Sequence, residues 1–280
     1  MKVTEHNYTS QDGLELYYRK ALPENSSNKV ILLIHGWSEH SGRYFEVMQQ
    51  LTSEGFTIYA PDLRGHGKSG GPRGHIMRWG HYSQDLMGLV DIIEKEIADS
   101  EITVIGHSMG GLVAIRLIEA YHHNPVFKGL VTSGAFLQLG YEPSPVKVML
   151  ANALSEYLPT FSLPEGIEPD RLTADTARQS SYDSDPYNHS MANVRWFTEV
   201  KQAQERAIDE AERVEIPTLV MHGTADTVAS PEGSKAFFNR VPGKSKELKL
   251  YQGLLHEIFN ETERARVFAD VKSWLKANVN

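Results

Sequence analysis

The chain contains no cysteine. Disulfides, thiolate nucleophiles and thiolate metal sites are therefore excluded, whatever the compartment. Positive charge is also scarce: 28 lysines and arginines stand against 36 aspartates and glutamates, a formal net charge of −8. Such a chain has no bulk attraction for nucleic acid or an anionic membrane. Its one small basic cluster, Arg64, Lys68 and Arg73, is interleaved with glycines and reads as a loop. No stretch approaches the roughly 20 apolar residues that span a bilayer. The segment Met1-Lys2-Val3-Thr4-Glu5-His6-Asn7 lacks the apolar run of a secretory signal, so a cytoplasmic location is expected. H-E-x-x-H, Walker A and a G-x-G-x-x-G after a strand are all missing, and the histidines lack ligand spacing. Neither a metal nor a cofactor is expected.

What is present is an ordinary globular composition, 40% hydrophobic over 280 residues. That suits one large domain or a core with an inserted subdomain. Leu14, Leu16 and Tyr18 alternate with polar or amphipathic neighbours after Asp12-Gly13, predicting an antiparallel strand. Short runs with few polar residues then recur at 30–34, 56–60, 102–105, 130–132 and 218–221. Runs of this kind are buried on both faces, as in a parallel sheet. Between them Leu86, Leu89, Val90 and Ile93, and then Leu112, Ile115 and Ile118, recur at helical spacing. The alternation predicts a doubly wound, mostly parallel α/β sheet, whose ligands bind beyond the carboxyl ends of the strands.

From about residue 136 to 194 the alternation breaks. This stretch is rich in Pro, Ser, Asp and Tyr and holds one helical pattern, Val146 to Leu158. Its apolar positions Val146, Met149, Leu150, Ala153, Leu154 and Tyr157 form one face. A structureless loop of this length is uncommon, so residues 136–194 are expected to be a cap inserted between core segments 1–135 and 195–280. The apolar face is expected to cover a bound ligand or to pack on the core.

The chemistry is carried by Gly106-His107-Ser108-Met109-Gly110-Gly111. It has the G-x-S-x-G form of a nucleophile elbow, with a strand pattern before it and a helix after it. A serine hydroxyl needs a base, and in such folds the acid and then the base follow the serine in chain order. His256 lies after the last strand pattern and before the C-terminal helix, where a base is required. Asp226 follows the 218–221 strand by one short turn and suits the orienting acid. Asp62 precedes the serine and reads as a structural turn that pairs with an arginine; His222 reads as a strand-end packing residue. The oxyanion requires two backbone donors, assigned to Met109, which follows the nucleophile, and to Trp37, in the loop after the His35-Gly36 strand.

Residues 35–44, HGWSEHSGRY, resemble a segment of the monoacylglycerol lipases and related lysophospholipase-like serine hydrolases of the α/β-hydrolase superfamily. So do Asp62-Leu63-Arg64-Gly65-His66-Gly67-Lys68-Ser69, the GHSMGG elbow and His222-Gly223-Thr224-Ala225-Asp226. The likeness runs through the core and fades in the cap. It implies the α/β-hydrolase fold and hydrolysis of a lipid-derived monoester, with monoacylglycerol first. Lysophospholipids, simple esters and thioesters are alternatives for the same triad, and a triad-retaining ligand-binding protein is an alternative of another class. The resemblance also implies that Glu39 and Arg43 lie at the polar end of the pocket; a structural ion pair at a helix start is the other reading. Two positions depart from the family. Trp37 is bulkier than the usual residue, and Phe259 stands where animal monoacylglycerol lipases carry a second histidine.

Overall fold

Two antiparallel strands open the chain, β1 (Lys2–Thr9) and β2 (Glu15–Leu22). The remaining elements run β3 (Lys29–Ile34), α1 (Phe45–Thr52), β4 (Thr57–Pro61), α2 (Gly80–Glu96), β5 (Glu101–His107), α3 (Met109–Ala120) and β6 (Phe127–Ser133). Then come α4 (Pro145–Tyr157), β7 (Ser162–Pro164), α5 (Thr176–Asp183), β8 (Met191–Asn193) and α6 (Val194–Asp209). The chain closes with β9 (Thr218–Gly223), α7 (Pro231–Arg240), β10 (Lys246–Tyr251) and α8 (Arg264–Asn278). The structure is a computed structural model and describes residues 1–279 apart from 26, 142, 143, 165, 166 and 244.

The main sheet has the order β1-β2-β4-β3-β5-β6-β9-β10. From β4 to β10 every neighbouring pair is parallel; β2 joins β4 antiparallel. Alternate side chains of one strand serve opposite faces, as a period of two demands. On β3, Val30, Leu32 and Ile34 pack with Leu86 and Leu89 of α2 and Leu112 and Ile115 of α3. Ile31 and Leu33 pack on the other face with Met48 and Leu51 of α1 and Val271 and Trp274 of α8. Helices therefore cover both faces of the parallel strands, the α/β-hydrolase arrangement.

Among the described residues, 136–194 contribute no strand to the main sheet. They carry α4, α5 and a separate pair in which β7 meets β8. Here one expectation needs correcting. The apolar face of α4 turns outward: Met149 is 64% exposed, Leu150 52% and Tyr157 79%. The helix leans on α6 instead, with Ser155 buried and bonded to Thr198 at 2.8 Å. Among the described residues, no helix is long and apolar enough to cross a membrane.

Candidate active site

β5 delivers the elbow. Ser108 sits between its last residue and the first residue of α3 with φ 53° and ψ −121°. This is a strained conformation for a residue with a side chain. It is held by the Ser108 N–H donating to Ser133 O (2.9 Å) and by Phe136 N–H donating to Ser108 O (2.9 Å). The flanking glycines are steric requirements: a Cβ on Gly106 would run into the Gly110 carbonyl, and one on Gly110 into the carbonyls of Ile34 and His35. Among the described residues the Ser108 hydroxyl has no hydrogen-bond partner.

Asp226 and His256 come from the loops after β9 and β10. Their side chains meet, His256 Nδ1 to Asp226 Oδ2 at 2.6 Å, and both are buried. The other carboxylate oxygen, Oδ1, accepts from the N–H of Val228 (2.8 Å) and of Ala229 (3.0 Å). A Cβ on Gly134, just after β6, would stand 3.3 Å from His256 Nδ1, and the His107 ring lies tilted against the His256 ring with centroids 4.8 Å apart. Asp62 serves a different neighbourhood. It accepts from the N–H groups of Ser41 and Lys68, both at 2.8 Å, with Arg19 at 3.6 Å.

The loop after β3 passes close to the elbow. Gly36 lies so near Ser108 that a Cβ there would stand 3.2 Å from the serine Cβ. No described group accepts from the backbone N–H of Trp37 or of Met109. Ser38, next in the loop, has φ 68°. The Trp37 ring is buried against His189 and Trp196, centroids 5.5 and 5.4 Å away.

Glu39 and Arg43 form part of a larger buried cluster. Glu39 Oε1 accepts from Gly36 N–H and from the Tyr44 hydroxyl, both at 2.6 Å, and Oε2 accepts from Arg43. Arg43 forks onto Glu257 at 2.7 and 2.8 Å and lies over the Tyr182 ring. The ion pair is thus present, with Glu257 as a third member that sequence separation hid: it lies 214 residues from Arg43. Phe259 turns away from this cluster and stacks on Phe268.

The family model described as serine aminopeptidase, S33 (Hydrolase_4) matches residues 25–263. A monoacylglycerol lipase of Mycolicibacterium smegmatis is 31% identical over 99% of this chain and 98% of its own. This chain belongs to that serine hydrolase family. The rat monoglyceride lipase is 28% identical over 96% of this chain and 89% of its own. Among solved structures, a soluble variant of the Saccharomyces cerevisiae monoglyceride lipase superposes with a TM-score of 0.88 (26% identity; 99% and 95% of the two chains). The Paleococcus ferrophilus monoacylglycerol lipase gives 0.81 (31% identity; 99% and 100%). The chain is accordingly an ester hydrolase of the monoacylglycerol lipase-like serine hydrolases.

Within such a hydrolase the electrostatics around His256 have a direct reading. Burial disfavours its cation, but the charge and hydrogen bond of Asp226, with Glu257 and Glu39 beyond, outweigh burial and raise it above the ordinary imidazole value. Burial and the adjacent His256 push His107 the other way, down to about 4. Only neutral His256 accepts a proton, so kcat/KM for an uncharged ester is expected to fall as pH drops through its titration. The midpoint should lie above about 6.5, the unperturbed value. A profile that is flat between about pH 5 and 8 excludes His256 as the base.

Proposed function

We propose that this hydrolase cleaves monoacylglycerols through an acyl-enzyme on Ser108. The Ser108 Oγ attacks the ester carbonyl carbon while its proton passes to His256 Nε2, and Asp226 holds the Nδ1–H and stabilises the imidazolium. The N–H groups of Trp37 and Met109 receive the oxyanion. Collapse breaks the bond to the glycerol oxygen, which takes the proton from His256. Water, deprotonated by the same histidine, then releases the fatty acid. The observations that carry this reading are the short His256–Asp226 bond and a strained serine whose hydroxyl, like the N–H groups of Trp37 and Met109, has no partner among the described residues.

The head-group end rests on Glu39 and Arg43. Two carboxylates share one guanidinium there, leaving a net negative charge. Such a subsite welcomes the hydroxyl donors of glycerol and repels a phosphate, which favours monoacylglycerols over lysophospholipids. We take residues 136–194 as a cap. The outward Val146, Met149 and Leu150, with exposed Leu158 and Phe161 beyond, suit transient contact with a lipid interface.

The test compares kcat/KM for a monoacylglycerol, a lysophospholipid and a simple alkyl ester of the same fatty acid. Wild type is expected to prefer the monoacylglycerol. Glu39→Gln and Arg43→Met, checked for native melting, are expected to narrow its lead over the alkyl ester by about tenfold or more, since a site built on such bonds discriminates by them. If neither narrows it, the head-group assignment fails. If triacylglycerol or lysophospholipid is the best substrate, the monoacylglycerol reading fails.

A further inference from the structure

The carboxylate of Asp226 receives more than the hydrogen bond from His256. Its Oδ2 lies 2.6 Å from His256 Nδ1 and also 3.0 Å from His222 Nε2, on the last turn-facing residues of β9. With Val228 and Ala229 on Oδ1, four donors meet the roughly four lone-pair positions of one carboxylate. The tautomer of His222 follows from its surroundings. Its Nε2 faces two acceptors, Asp226 Oδ2 and the Ala229 carbonyl at 3.1 Å, so it must carry a hydrogen. Its Nδ1 faces the Ser234 hydroxyl at 2.7 Å, on the second turn of α7, which either donates or accepts. The side chain is fully buried. A residue kept only for packing would need no N–H aimed at the acid.

We propose that His222 is a positioning residue of the catalytic apparatus: its Nε2–H fixes the carboxylate of Asp226 and draws charge from the oxygen that faces His256. This rests on the hydrolytic reading given above. Two consequences follow. The carboxylate cannot turn about its own axis without breaking all four bonds, so the imidazole is presented to Ser108 in one orientation. The shared oxygen is also a weaker partner for the imidazolium than an oxygen facing His256 alone. Burial opposes ionisation of Asp226, but the charge of His256 and the bonds from His222 and His256 overcome it and hold the carboxyl well below its usual range. The groups facing His256 are Asp226 from the loop after β9, His107 from β5, Glu257 beside it and Glu39 from the loop after β3. Loss of the His222 donor leaves the others in place, so its effect on His256 is separable.

The experiment uses the full chain with ¹⁵N-labelled histidine and follows the His256 ring nitrogens against pH. His222→Gln puts an amide N–H where Nε2 stands; His222→Asn puts it where Nδ1 stands, short of Asp226. The Asn variant is expected to titrate His256 about half a pH unit higher, because Asp226 then attracts the imidazolium more strongly. Its kcat/KM on a monoester should fall about tenfold from the loosened geometry. The Gln variant should keep the wild-type midpoint. Equal midpoints in wild type and the Asn variant, or equal shifts in both variants, overturn the proposal. Should the variants not fold, the wild type still decides: a His222 Nε2 without a proton near neutral pH overturns it, and a protonated one upholds it. Wild type that turns over no ester sinks the hydrolytic reading instead, and the titration is unaffected by that result.

Discussion

Ser108→Ala is expected to lose about a millionfold in kcat, the scale seen when a serine hydrolase loses its nucleophile. It should also stop reacting with a fluorophosphonate while melting as wild type does. The stability half of this expectation comes from the geometry. The Ser108 hydroxyl has no hydrogen-bond partner among the described residues, so its removal orphans nothing. Alanine keeps the Cβ, hence the same backbone strain at φ 53° and the same packing beside Gly36. The bonds that hold the elbow are main-chain bonds to Ser133 and Phe136, which the substitution leaves intact. Residual labelling of the Ala variant at wild-type rate would show that another nucleophile does the work. Unfolding on substitution would show that the hydroxyl is structural.

The elbow was legible in the sequence because its requirements are local. A strand run, two glycines that admit no Cβ and a helical pattern all fall within about 20 residues of Ser108. The parallel strands were legible for a related reason: burial on both faces removes polar residues from β3 to β6 and from β9, and that depletion is visible in one dimension. β1 escaped because it is an edge strand. Only Tyr8 on it is buried, so its eight residues show no alternation. The outward face of α4 escaped for a different reason. Periodicity reveals that a helix has an apolar side, but not what that side meets; here the side that carries Ser155 took the partner. The buried Glu39–Arg43–Glu257 cluster joins loops more than 200 residues apart. Nothing at position 257 marks it as a partner of Arg43. His222 was visible as a strand-end histidine four residues before Asp226. Its bond to the acid exists only because the turn after β9 doubles back on the strand.

Asp226→Asn is expected to lower kcat by about 10⁴, the cost of presenting the imidazole in the wrong tautomer. The four donors around this side chain make the case. A carboxylate accepts from all of them, whereas an amide has one accepting oxygen and one donating nitrogen. If the amide oxygen stays with the Val228 and Ala229 N–H groups, its NH₂ faces His256 Nδ1 and the Nε2–H of His222. The imidazole must then bare Nδ1 to accept, which moves its hydrogen to Nε2, the atom required to take the serine proton. The NH₂ meets a second donor in His222. If the amide flips, the clash moves to the two backbone N–H groups. Each arrangement leaves a buried donor unpaired, at about 1–3 kcal/mol, so the variant should also melt lower than wild type, unlike Ser108→Ala. Both readouts matter. Activity within about tenfold of wild type, where about 10⁴ is expected of an orienting acid, would remove Asp226 from the triad. Lost activity with undiminished stability would mean that the four-donor arrangement around the carboxylate is wrong.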